Sequence, residues 1–350
     1  MKTITSTLLT AQSAASRTPF VHMLFLSKDG NTNYDLSMDS AAFGNRILMI
    51  DHTEGDYDDY AYILLRDHDR TLPTDIRGYW TEIGYGDGGE YAGDGNNGGS
   101  RATSRLWVKS HSIISAPGKV WHLLELQGMW AKLKETLIRL GSNLPAYEYR
   151  YTGTTVYDII SAVLAEVGMS INALGSQDDS IISSYEPEFY VNDPFPFEDA
   201  GSILGRLIRM TKSFLRPDAS MAFTIRYPQE DDSADLTVYS DKAPYFNSYR
   251  ERKNVRMPNH IIVFCNAGVD ELWTNIITGE ATVQAGIDEY AEVYHIELAP
   301  EITNQTDATN RAAVYLSRGV ADKLAGELEM PHHCAVELYD NVKIVDIRGS

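Results

Sequence analysis

The segment Tyr294–Arg348 constrains the fold of this 350-residue chain more than any other. It reads as strand, helix, strand. Thr306 and Asp307 can cap a helix whose apolar positions Ala312, Ala313, Leu316, Val320 and Leu324 recur at helical spacing. A polar turn broken by Pro331 follows, and Val336, Leu338, Val342 and Ile344 then alternate as a strand does. A helix with one apolar stripe between two strand segments predicts a unit that pairs strands and docks the helix on them. Nothing in the segment has catalytic spacing.

The rest of the chain is divided by texture. At 350 residues, two or three domains are expected. Residues 1–16 are a Ser/Thr/Ala-rich N-terminal arm, with room for a short helix. From 17 to 145 come short runs rich in β-branched and aromatic residues: Phe20–Leu26, Arg46–Asp51, Tyr60–Leu65, Tyr79–Tyr85, Arg105–Ser110 and Val120–Gly128. Turn residues such as Lys28-Asp29-Gly30 and Ala116-Pro117-Gly118 separate them, which predicts an antiparallel barrel or sandwich. Residues 146–249 predict a small α/β domain. One helix begins after a threonine cap, carries Val156, Ile159, Ile160, Val163 and Val167 on one face, and ends at Gly168. A second is expected over Asp199–Phe214, followed by a strand, a turn and a strand in SFLRPDASMAFTIRYP. Residues 250–350 form a second β-rich unit.

Charge narrows the function. Thirty Lys and Arg against 49 Asp and Glu give a net charge of −19, which disfavours a high-affinity grip on nucleic acid or an anionic membrane. It does not disfavour a conduit through which DNA slides without sticking. No segment approaches the roughly 18 consecutive apolar residues of a membrane span, and the N-terminus lacks a signal-peptide core. Two cysteines make no disulfide framework: Cys265 sits in the apolar run IIVFC and reads as core. His332, His333 and Cys334 are adjacent, too close together to wrap one metal, and no second ligand pair accompanies them. No metal or cofactor is expected.

Two stretches invite a functional reading. Gly84–Ser100 is glycine-rich, but it lacks the Lys-Ser/Thr end of a phosphate loop and carries Asp87, Glu90 and Asp94, which repel phosphate. It reads as a hairpin tip or an interface loop. Asp51, Glu54, Asp56, Asp58 and Asp59 form an acidic cluster without the spacing of a calcium loop. The bland reading is a solvated loop; the functional one is an acidic channel lining or interface. No HExxH or GxSxG motif is present, and carboxylates such as Glu125, Glu297 and Glu301 are selected by no spacing rule, so no enzyme is expected. The alternatives are a cell-wall hydrolase or a receptor- or carbohydrate-binding module using Trp80, Trp107, Trp121, Trp130 and Trp273, which read more simply as core and interface residues.

The order of these pieces resembles the tail hub proteins of bacteriophages, including baseplate hubs of contractile tails and the N-terminal hub region of siphophage tail-tip proteins. Leu204–Pro228, Arg252–Asn266 and Tyr294–Arg348 carry the resemblance, with AQSAASRTPF and DHDRTLPTDIRGYWTEIGYG adding to it. It implies an α+β, β-rich chain with two antiparallel β-barrel-like tube domains, 17–145 and 250–350, and an intervening small α/β domain, 146–249. It further implies a structural virion protein at the tail tip: a homotrimer whose six similar domains match a sixfold tube to a threefold tip. Its partners would be the tail tube and distal tail proteins on one side and downstream tip or fibre proteins on the other. DNA would pass during ejection without specific binding. The chain stops at Ser350 just after a strand, so a partner continues the tip or the sequence itself continues.

Overall fold

Alternation explains the first sheet. Along strand Asp58–Arg66, Ala61, Ile63 and Leu65 are all buried while Tyr62 faces out. A computed structural model describes residues 1–14, 16–93, 102–138, 149–175, 179–191, 198–229, 232–251, 257–265, 276–299, 302, 304–323 and 326–348. In it, Asp58–Arg66 belongs to an antiparallel sheet of seven strands in the order Asn33–Asp35, Leu24–Leu26, Trp80–Thr81, Leu106–Ala116, Lys119–Gln127, Asp58–Arg66 and Ile47–Gly55. Every strand run expected from the sequence of 17–145 contributes to this sheet or to a second, three-stranded one made of Pro19–His22, Gly84–Asp87 and Glu90–Tyr91. The inner face of the large sheet packs Phe25, Ile63, Leu65, Leu106, Leu124 and Leu126 into one core. Among the described residues its two outer strands do not pair, so the chain by itself forms no closed barrel.

The N-terminal arm is not free. Thr5 caps helix α1 (Ser6–Gln12), and Leu8 is buried against Ala92 and Cys334. The Lys2 amide donates to the Ala335 carbonyl at 2.8 Å, and the Cys334 amide donates to Gln12 Oε1 at 2.8 Å.

A second core gathers helices α2 (Met129–Glu135), α3 (Val156–Glu166), α4 (Ser180–Ser184) and α5 (Ala200–Ile208). Three start on side-chain caps of the expected type: Thr155, Asp179 and Asp199. Each of the fully buried Ile159, Ile160, Val163, Ile203, Leu204 and Leu207 contributes about 1.5–3 kcal/mol of burial. Trp130 from α2 fills the middle, edge-on to Phe223. The expected strand, turn and strand are Phe214–Asp218 and Ala222–Arg226, paired antiparallel around a short 3-10 turn. The expected helix over Asp199–Phe214 is shorter, ending at Ile208.

The third region has a three-stranded sheet with His260–Cys265 between Ile277–Thr282 and Tyr294–Ala299. Helix α6 (Gln284–Tyr290) follows the first of the outer strands, and helix α7 (Gln305–Lys323) lies on one face of the sheet. α7 comes so close that a Cβ on Gly279 would stand 1.9 Å from the Ala308 carbonyl oxygen, so only glycine fits there. The helix starts earlier than Thr306 and Asp307 suggested: Asn304 Oδ1 accepts from the Asp307 amide, and Asn304 Nδ2 donates back to the Asp307 carboxylate. Val336 follows one turn and Leu338 lies in the next, neither in a strand, and only Val342–Val345 is extended. That strand pairs parallel with Leu236–Tyr239, while Gly326–Glu329 pairs with Ser248–Glu251, so both ladders tie residues 236–251 to the C-terminal segment. The protein is α+β and strand-rich, with seven α-helices among the described residues.

Candidate assembly surfaces and the acidic hairpin

The acidic cluster sits on one β-hairpin. Strands Ile47–Gly55 and Asp58–Arg66 are joined at Asp56 and Tyr57, and Tyr57 takes a left-handed φ of 58°. That conformation is strained for a residue with a side chain, and the ring offsets it by packing edge-on at 4.8 Å against buried Trp130. The five carboxylates then part company. Asp51 and Asp58 are exposed, and Glu54 is exposed beside His52. Asp56 accepts a hydrogen bond from the Tyr339 hydroxyl at 2.8 Å and so pins the hairpin tip to the C-terminal segment. Asp59 is buried at 2 % exposure, 3.1 Å from His52 Nε2, and takes the Ser104 hydroxyl on its other oxygen. The Tyr85 hydroxyl, 3.2 Å from His52 Nδ1, completes the chain. Burial and the adjacent acids push the Tyr85 phenol above its ordinary range, so it stays a neutral donor. Asp59 therefore cannot line a surface of this chain.

Asp51 can. In the sheet register it stands beside Tyr62, and Tyr62 stands beside Glu125. Directly paired residues share a face. Asp51, Tyr62 and Glu125 thus form a row on the side opposite Ile50, Ile63 and Leu124. Spacing along the chain could not select Glu125; only the strand register brings it into one row with Asp51, on the other side of Tyr62.

The glycine-rich stretch is also partly structural. Gly84–Asp87 is a strand between Pro19–His22 and Glu90–Tyr91, and a Cβ on Gly86 would overlap the Glu90 carbonyl. Asp87 is buried, accepting from Arg17 Nε at 2.9 Å and from the Thr18 amide at 2.8 Å. Its carboxylate is spent inside the chain. Glu90 is half-buried on the return strand, and Asp94 lies outside the described residues.

Charged groups weld the regions together where sequence reading gave no sign of it. Arg318 of α7 donates to the carbonyls of Ile208, Thr211 and Ser213 at the end of α5, at 2.8, 3.2 and 2.7 Å. A cation there also meets the negative end of the helix dipole. Buried Arg216 lies 3.3 Å from Glu337 and 3.6 Å from Asp340. In the first sheet His111 Nε2 is 2.9 Å from His122 Nδ1, and His122 Nε2 is 3.2 Å from Asp67. The Ile76 amide donates to His111 Nδ1, so the chain of donors runs from Ile76 to Asp67 with both imidazoles neutral. Burial lowers the pKa of both rings.

Burial lowers His332 to about 4 and raises Cys334 to about 11, which leaves an inert thiol beside a neutral ring. Among the described residues no three His, Cys, Asp or Glu side chains group as metal ligands, and no helix is long and apolar enough to cross a membrane. A cavity of about 1040 Å³ between α7 and the Gly326–Glu329 ladder is lined by Tyr227, Tyr249, Leu316, Ser317 and Asp340, with the Ser317 and Tyr227 hydroxyls 3.4 Å apart.

The surface is more informative than the cavities. Tyr294, Ile296 and Leu298 are 53 %, 58 % and 61 % exposed on an outer strand of the third sheet. They share a face with half-buried Ile262 and Phe264, away from α7. On the first sheet, outer strand Ile47–Gly55 exposes Leu48 and Met49, and the Leu106–Ala116 strand exposes Ile113 and Ile114. Unpaired edges with apolar side chains are surfaces a soluble protein normally covers.

No family model matches the sequence, and no curated protein matches it. Solved structures do. A 43 kDa tail protein of prophage MuSo2 from Shewanella oneidensis superposes with a TM-score of 0.61 at 12 % identity, over 95 % of this chain and 90 % of that one. A tail protein from Neisseria meningitidis MC58 gives 0.62 at 9 % identity, over 95 % and 88 %. The chain has the fold of phage tail proteins. At such identities the likeness is one of architecture, shared across nearly the full length of both partners.

Proposed function

We propose that this chain is a structural hub protein of a bacteriophage tail. Three copies close into a ring at the distal end of the tail tube, match its sixfold symmetry to a threefold tip, and leave a channel through which DNA exits. The observation that carries this reading is the phage-tail fold extending over 95 % of the chain. The open sheets support it, because a ring of neighbouring copies covers edges that a monomer leaves bare. Residues 17–145 and 250–350 supply the two barrel-like tube units, completed between subunits, with the strands of residues 236–249 paired into the second, and the rest of the α/β region 146–249 lies outside them. The row Asp51, Tyr62 and Glu125 lines the channel, where carboxylates repel phosphodiesters and keep DNA from sticking. Asp58, on the same face, lies at its rim, whereas Glu54 pairs with Asp59 on the opposite face. No bond chemistry is required of any residue. The tail tube and distal tail proteins bind one side of the ring, and tip or fibre proteins bind the other.

Immunogold labelling of intact virions with antibody to this chain tests the placement. Gold confined to the distal tail tip is the expected result. Gold along the tail, at the head–tail joint, or on no virion would sink the proposal.

A further inference from the structure

We propose that the cleft between the first sheet and the helical region is a binding site for an acidic sugar. The cleft has a volume of about 570 Å³ and is walled by Trp80, Trp107, Lys28, Arg105, Lys109 and Lys132. Such a volume suits a ligand of two or three rings, and a junction between structural units is a common place for one. Four cations and a single carboxylate, Glu135, line it in a chain whose net charge is −19. Glu82 and Glu135 pair with Arg105 and Lys132, so Lys28 and Lys109 are the cations without an ion pair among the described residues, and an anion between them would relieve their mutual repulsion.

The arrangement of the tryptophans narrows the ligand. Trp80 and Trp107 are directly paired across adjacent strands, so both half-buried indoles stand on the same face of the sheet. Arg105 is stacked on Trp80 with its guanidinium 3.6 Å from the ring centroid. Its Nε and Nη2 both reach Glu82 Oε1 at 3.1 Å, which fixes the plane of the fork and leaves Nη1 available. Lys28 and Lys109 are exposed and form no ion pair with a described residue, and Lys132 reaches only Glu135, at 3.9 Å. Indole rings favour the flat C–H faces of a sugar, and the cations favour a carboxylate on that ring. A nucleic-acid strand would need a longer basic track than these four side chains supply. An acidic protein segment would make no use of two adjacent indoles. This site is independent of the hub reading and would serve any tail position that meets a host polysaccharide.

The test is calorimetric titration of the full-length protein with trigalacturonate, maltotriose, a hexaglutamate peptide and a short oligo(dT). Trigalacturonate is expected to bind roughly tenfold tighter than each of the others, the difference a charge-assisted contact supplies. The double variant Lys28→Glu/Lys109→Glu changes two exposed side chains and is expected to weaken binding by roughly tenfold or more, while Lys119→Glu on the far hairpin leaves it unchanged. No binding, equal binding of maltotriose, or an unchanged double variant would overturn the proposal. Preference for the peptide or for oligo(dT) would also overturn it, and would identify the cleft as a seat for an acidic protein segment or for nucleic acid.

Discussion

Removing the Asp59 carboxylate would strand its partners inside the protein. His52 and the Ser104 hydroxyl both aim at it within a buried pocket, and losing one member of such a set costs about 3–5 kcal/mol. Asp59→Ala is therefore expected to lower the urea midpoint strongly. Asp51→Asn and Asp58→Asn, at exposed positions, should change stability by no more than about 0.5 kcal/mol. Equal effects at the three positions would contradict this division. Histidine titration gives a second expectation. His22, His111, His122, His332 and His333 all have pKa values lowered by burial, His332 to about 4. The unfolded chain binds protons near pH 6.5 and the folded chain resists them, so this stability is full above that pH and is lost as pH falls below it. The slope of stability against pH between 7 and 5 is expected to be shallower in His332→Leu than in the natural protein. Parallel slopes would refute the assignment. The run of acids was visible in the sequence, but not its division. Which carboxylate turns inward depends on strand register and on Ser104, a residue far along the chain.

At the scale of elements, the helices were legible where their ends are set locally and illegible where distant groups set them. Thr155 and Gly168 bracket α3 by their own chemistry, a cap hydrogen bond and a left-handed φ of 72°. α5 ends early because Arg318, from another region, takes up the carbonyls of Ile208, Thr211 and Ser213. Val336 and Leu338 alternate like a strand, yet the adjoining residues Cys334 and Ala335 are bound to Gln12 and Lys2 and the chain turns there. The docking of α7 depends on Gly279, and Gly279→Ala is expected to cost more than about 2 kcal/mol by forcing the helix off the sheet. A loss below about 0.5 kcal/mol in equilibrium unfolding would show that the close approach is not obligatory. The outer strand Tyr294–Ala299 calls for the opposite experiment. Ile296→Lys with Leu298→Lys leaves a monomer's core untouched and is expected to abolish self-association at unchanged unfolding midpoint. A variant that still assembles would remove this strand from the interface.

For the whole molecule, the sequence predicts an α+β, strand-rich chain, and the fold is α+β and strand-rich. What no single chain displays is closure. Among the described residues the seven-stranded sheet ends in open strands, the third sheet exposes three large apolar side chains, and the net charge of −19 must be tolerated when copies meet. A ring reconciles these features if apolar edges face neighbouring copies and carboxylates face the channel. Charge repulsion between copies is screened over about 10 Å at 0.1 M salt, so association is expected to strengthen as salt rises. The decisive measurement is mass photometry with negative-stain imaging of the purified chain, alone and mixed with the tail-tube protein of its own phage. The account predicts a threefold ring with a central hole, built from three 39.1 kDa chains, in at least the mixture. A 39.1 kDa monomer under both conditions would contradict it.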